Sequence, residues 1–105
     1  MWGMKRLLLT SIAALFLATG TAHADKCATV LKTNDGFLAL RDEPSVRAKL
    51  LLKLKKDEEL WYPVKSVFKN WVRASYPGED WENRGTVDGY VYGKYIHIFE
   101  CGHLP

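Results

Sequence analysis

Few side chains in this 105-residue sequence have the type and spacing that covalent chemistry needs. Beyond residue 24 the histidines are His97 and His103, and two imidazoles with no Cys, Asp or Glu at a matched spacing do not close a tetrahedral metal site. Ser45, Ser66 and Ser75 lack the G-x-S-x-G setting that exposes a nucleophile, and no glycine loop precedes a helix to cradle phosphate. Glu79, Asp80 and Glu82 cluster on a turn-rich stretch, where they read as a solvated acidic tip rather than as a paired acid and base. The expectation is a protein that is not an enzyme and carries no cofactor and no metal.

The aromatic residues say more. Trp61, Trp71, Trp81, Tyr76, Tyr90 and Tyr92 include several on the parity opposite the Leu and Val positions. A domain of this size buries only about 60% of the surface its unfolded chain exposes, so it cannot hide every large ring. Exposed rings offer wide contact area at low rotamer cost. The expected contact surface is therefore Trp71, Tyr76, Trp81, Tyr90 and Tyr92, with Arg41 and Arg73 available for a carboxylate.

The start of the chain bears on where such a surface would work. Residues 1–6 carry Lys5 and Arg6 and no acid, 7–18 are apolar but for Thr10 and Ser11, and Ala22-His23-Ala24 supplies the small residues a signal peptidase reads. Residues 1–24 are expected to be an export signal, cut after Ala24. The apolar run is shorter than the roughly 20 residues that span a hydrocarbon core, so no stable membrane anchor is expected after cleavage. Residues 25–105 then form one domain, periplasmic or secreted. Without the leader the net charge falls from +3 to +1, which removes any electrostatic case for nucleic acid.

The two thiols, Cys27 and Cys101, lie near the ends of that domain. An even count in an oxidising compartment, with no C-x-x-C partner for either, points to one disulfide. Its formation requires the alpha carbons to approach within about 7 Å, so the two ends of the fold must meet.

Between the cysteines apolar residues recur at every second position in short runs, and turn residues punctuate them. Strands are expected at 27–32, 37–41, from Leu50 through Leu54, from Leu60 to Lys65, and at 71–76, 87–92 and 98–101, with a single helical turn at 93–96. Leu50, Leu52 and Leu54 share a face by parity, as do Leu38 with Leu40, Val72 with Ala74, and Leu60 with Tyr62 and Val64. Pro63 places its strand near an edge or a bulge. A rival helix from Ser45 to Leu60 has a cap and good helix formers, but the period of two favours a strand. Residues 77–86 read as a loop rich in Gly and charge. No internal repeat or linker interrupts the pattern, so the fold class is all-β, a small barrel of five to six short strands with one short helical turn near the C-terminus.

Leu38-Ala39-Leu40-Arg41-Asp42-Glu43-Pro44-Ser45 matches the L-x-V-R-x-x-P-S segment of bacterial SH3-like (SH3b) domains. A leucine-rich strand and the Lys55-Lys56 turn follow, then Trp71-Val72-Arg73-Ala74, Gly89-Tyr90-Val91 and Tyr95-Ile96 in the family's order. The chain resembles that family from about Cys27 to Ile98. It departs from it at Asp57, where a turn glycine is usual, at Tyr90 in place of a common Trp, at Ala74 in place of Val, and in the longer connection from Tyr76 to Val87. The A-L-Y-D-Y signature of polyproline-binding relatives is missing. The resemblance implies an SH3-like barrel acting as an exported binding module for a cell-wall peptide or an envelope protein. The alternative expectation is an inhibitor or regulator of an exported enzyme, acting through the 77–86 loop.

Overall fold

The computed structural model describes residues 24–105, so all of the expected leader but Ala24 lies outside the described residues. Seven antiparallel strands form one sheet: β1 (Asp25–Val30), β2 (Leu38–Arg41), β3 (Leu50–Leu54), β4 (Glu59–Lys65), β5 (Trp71–Tyr76), β6 (Val87–Tyr92) and β7 (Ile96–Gly102). Their order across the sheet is β3-β2-β6-β5-β4-β1-β7. A one-turn helix, α1 (Trp81–Arg84), interrupts the β5–β6 connection, and a 3-10 turn (Gly93–Tyr95) joins β6 to β7. Strands β5 and β6 coincide with the expected spans, whereas β1 starts and ends earlier than expected and β7 already begins at Ile96.

Period-two patterning builds the core. Ala28, Val30, Leu38, Leu40, Leu54, Leu60, Val72, Ala74, Val91 and Ile96 make one buried cluster to which every strand contributes. Seven strands laid flat at about 4.8 Å spacing would be roughly 30 Å wide and could not share such a cluster, so the sheet curls around its inner face. It does not close. β3 and β7 end the sheet and no ladder joins them, which corrects the expected barrel. All seven of the alternating runs pair, so the sheet has seven strands rather than the five to six of the expected barrel.

The segment 42–49 forms no helix. Ser45 Oγ accepts the Arg47 N–H at 3.2 Å, Ala48 N–H donates to the Ser45 carbonyl at 3.1 Å, and Asp42 N–H donates to the Lys49 carbonyl at 3.1 Å. Serine here caps a turn, a use its short hydroxyl favours, and the leucines beyond it enter β3. Leu54 is fully buried, but Leu50 is exposed, against the expectation that it shares a face with Leu52 and Leu54: the β2–β3 register shifts between Leu40 and Arg41, and the extra residue sets Leu50 opposite outward-facing Arg41.

A second parity expectation fails on β4. Leu60 is buried, yet Tyr62 is 41% and Val64 61% exposed. The β4–β5 register shifts between Trp61 and Val64, and Tyr62 sits at φ 54°, a left-handed conformation rare for an aromatic residue. The extra residue of this bulge turns Val64 to the outer face opposite Arg73. Pro63 thus marks a bulge in an interior strand. Asp57, at φ 73°, adopts the left-handed conformation for which the resemblance supplies a glycine.

The disulfide forms between Cys27 and Cys101, with alpha carbons 5.8 Å apart. It ties β1 to β7, where Cys27 lies opposite Phe99. Two further bonds hold the C-terminal residues: Leu104 N–H donates to Asp25 Oδ2 at 2.7 Å, and Tyr62 O–H donates to the Pro105 carbonyl at 2.8 Å. Among the described residues no helix is long and apolar enough to cross a membrane.

Candidate functional site: two aromatic grooves

The β5–β6 ladder positions most of the expected contact residues. Val72, Ala74 and Val91 point into the core, so alternation turns Trp71, Arg73 and Ser75 outward on β5, and Asp88, Tyr90 and Tyr92 outward on β6. Trp71 lies opposite Tyr92 at one end of the ladder and Tyr76 opposite Val87 at the other. Six residues at about 3.4 Å each separate the two ends by roughly 17 Å.

At the Trp71 end a groove of about 610 Å³ runs between the 31–37 and 42–49 connections. Trp71 meets Tyr92 edge-on at 5.6 Å between ring centroids, and Tyr92 lies 6.1 Å from Tyr95. Phe37, Val46 and Arg41 complete its walls. Arg41 Nη1 donates to the Ala48 carbonyl at 2.9 Å, which fixes the guanidinium against the loop while using one of its five donors. The Lys53 ammonium sits 4.8 Å over the Phe37 ring. This end can hold an extended chain over aromatic faces and offer a carboxylate the free side of a pinned guanidinium.

The Tyr76 end carries a second groove, of about 940 Å³, lined by Trp61, Tyr76, Trp81 and the carboxylates of Glu58, Glu59 and Glu79 among others. Trp81 enters from α1 and meets Trp61 edge-on at 5.1 Å. Residues 77–86 are wired internally: Arg84 Nε pairs with Asp80 Oδ2 at 3.1 Å, Asn83 Nδ2 donates to Asp80 Oδ1 at 2.8 Å, and Gly85 N–H donates to the Trp81 carbonyl at 2.8 Å. Tyr76 O–H donates to Glu58 Oε1 at 3.2 Å. Burial first, then the negative charge of Glu58 and its hydrogen bond, and last the charge of Glu79, raise the Tyr76 phenol above its ordinary pKa.

The expected contact residues therefore divide. Arg41, Trp71 and Tyr92 meet at the first groove, and Tyr76 and Trp81 at the second. Tyr90 and Arg73 line neither. They face each other on the outer sheet surface, and Arg41 lies opposite Tyr90, so the two arginines flank one tyrosine across three strands. Phe37, Tyr95 and Trp61 join the grooves without having been expected there. Trp61 carried a signal, since it alternates with buried Leu60. Tyr95 stands in the helical turn expected at 93–96 and observed as the 3-10 turn Gly93–Tyr95, but that turn alone does not say which groove its ring joins.

Among the described residues no three His, Cys, Asp or Glu side chains gather as a metal site would require. His97 stacks on Phe99, with ring centroids 6.1 Å apart. No protein-family model matches the chain, and no curated protein matches its sequence.

Proposed function

We propose that this protein is a non-catalytic, exported SH3-like binding module that recognises a cell-wall peptide or an envelope protein partner through its exposed aromatic residues. The observation that carries the reading is the run of Trp71, Tyr92 and Tyr95 beside the pinned guanidinium of Arg41. An extended peptide laid along these rings gains apolar contact without having to reorganise the groove, and its carboxylate meets charge-assisted donors. The disulfide supports an oxidising compartment, and the order of motifs from Leu38 to Ile96 supports the SH3-like assignment.

The test is retention on purified peptidoglycan, with capture from a periplasmic extract alongside. Trp71→Ala and Tyr92→Ala should each lower retention or capture at least tenfold while the domain stays folded. Unchanged binding in both variants defeats the proposal, as does unfolding of both to the extent of a core Leu40→Ala variant.

A second reading, regulation of an exported enzyme through residues 77–86, draws on the internal bonding of that loop, which holds it in one shape before any partner arrives. It requires a stoichiometric protein partner lost on Trp81→Ala and indifferent to Trp71→Ala.

A further inference from the structure

The apex of the β4–β5 hairpin is built to hold apolar side chains in solvent. Val67 is 96% and Phe68 57% exposed, and Val64 beside them is also exposed. This is no loose collapse of a loop. Ser66 Oγ donates to the Phe68 carbonyl at 3.0 Å and accepts the Phe68 N–H at 3.1 Å. Ser66 N–H donates to the Trp71 carbonyl at 3.1 Å, Trp71 N–H donates to the Phe68 carbonyl at 3.2 Å, and Asn70 closes the turn at φ 70°. These bonds hold the apex in one shape that leaves Val67 in solvent and Phe68 more than half exposed along the edge of the groove beside it.

The charge around this apex has one sign. Lys65, Lys69 and Lys94 line a groove with Phe68 and Ile98 in which no acidic residue takes part. Between Leu60 and Gly78 the sequence contains no Asp or Glu at all. The two ion pairs among the described residues, Lys56 with Asp57 and Arg84 with Asp80, leave all three lysines without a carboxylate.

We propose that this hairpin apex docks on an anionic phospholipid bilayer, with Val67 and Phe68 entering the headgroup–acyl boundary and Lys65, Lys69 and Lys94 meeting lipid phosphates. A soluble polyanion satisfies lysines but gives nothing to Val67 and Phe68, whereas an interface of acidic headgroups over hydrocarbon takes both. The lysine stems can lie along the apolar side chains while their ammonium groups stay at the headgroups. This surface is separate from the peptide groove, although both touch Trp71 and Tyr92, so docking would present that groove close to the membrane.

The experiment is NMR on the full chain with lipid nanodiscs carrying an acyl-chain spin label, either in phosphatidylcholine alone or with one third phosphatidylglycerol. The readout is local, so any contact made by the N-terminal residues does not mask it. Amide signals of residues 66–69 should lose at least threefold in intensity on the anionic discs and keep it on the neutral ones. Val67→Ser with Phe68→Ser should abolish the loss, and so should Lys65→Glu with Lys69→Glu. No loss in the wild type overturns the proposal. Loss that survives the serine pair means phosphate contact without insertion, and loss that survives the glutamate pair or appears on neutral discs means insertion without charge recognition; each of these also overturns it.

Discussion

The two ends of the β5–β6 ladder use aromatic and apolar residues in opposite ways. At the Trp71 end the hairpin turn is wired through Ser66, so Val67 and Phe68 are held out, and the charges lining the groove beside the turn are lysines. At the Tyr76 end the connection is drawn in: Trp81 folds back on Trp61, Tyr76 packs on the core, and the nearby charges include three glutamates. The same residue types thus give an open surface at one end and a fastened one at the other. Both connections bond within themselves; what separates them is that Trp81 finds a partner ring on the sheet in Trp61, whereas Val67 and Phe68 remain exposed.

Both ends rest on a shared scaffold, and breaking it should abolish the contrast altogether. Cys27 and Cys101 are 74 positions apart, so their bond closes a covalent loop over most of the described residues. Replacing both by Ala should cost about 4–5 kcal/mol in the chain-entropy picture, close to the whole stability of a domain this small. Urea unfolding with and without reductant measures it. Insensitivity of the wild type to reduction would show that the sheet alone holds the ends together.

Next in size is Gly89, where β2 crosses β6. A Cβ there would stand 2.6 Å from the Arg41 carbonyl oxygen and 3.0 Å from Leu40 Cγ. Gly89→Ala should cost about 1–3 kcal/mol by forcing the two strands apart, and it should loosen the Arg41 side of the first groove while leaving Trp81 on Trp61. Thermal unfolding together with near-ultraviolet circular dichroism would report both. A neutral substitution would mean that β2 is free to move.

Much of this scaffold was legible in the sequence, because it rests on parity and on cysteine position. Val72, Ala74, Leu38 and Leu40 are buried as their alternation requires, and the disulfide follows from count and compartment. Parity failed at Leu50 and at Tyr62 and Val64, where a one-residue bulge in each strand resets which face is inside, and only the second had a signal, Pro63, which marked a break without giving its direction. The division of the aromatics into two grooves was not legible. It depends on α1, a four-residue helix with no hydrophobic period to read, and on which groove the Tyr95 ring joins from a 3-10 turn whose place near the C-terminus was expected. That the sheet stays open was equally hidden, since whether the end strands pair depends on the curl of the whole sheet and not on any local pattern.

A smaller effect bears on the comparison directly. Trp81→Ala removes an edge-on pair at 5.1 Å that fastens its connection, and Trp71→Ala removes one at 5.6 Å between neighbouring strands. Such pairs are worth about 0.5–1.5 kcal/mol beyond the area they bury. Both variants should lose stability of that order. Trp81→Ala alone should also speed proteolysis within 77–86, since the remaining bonds there lie inside the loop. Equal protease sensitivity in the two variants would show that the loop is held by its own hydrogen bonds rather than by its tryptophan.

The smallest effect concerns Tyr76 at the fastened end. Its phenol is raised above the ordinary value near 10 by burial and by the charges of Glu58 and Glu79. A raised value means that the folded state keeps a proton the unfolded chain gives up. The stabilisation is therefore whole below about pH 10 and is lost as pH climbs through the higher folded value. Tyr76→Phe should flatten the alkaline fall of stability above about pH 10 relative to the wild type, as read by urea titrations at successive pH values. Glu58→Gln separates the causes. It keeps the ring where it is and removes the Glu58 charge, so the part of the alkaline slope due to burial should remain. Loss of the whole slope in Glu58→Gln would instead make the carboxylate the dominant cause, and the Tyr76 end would then be fastened by charge rather than by packing.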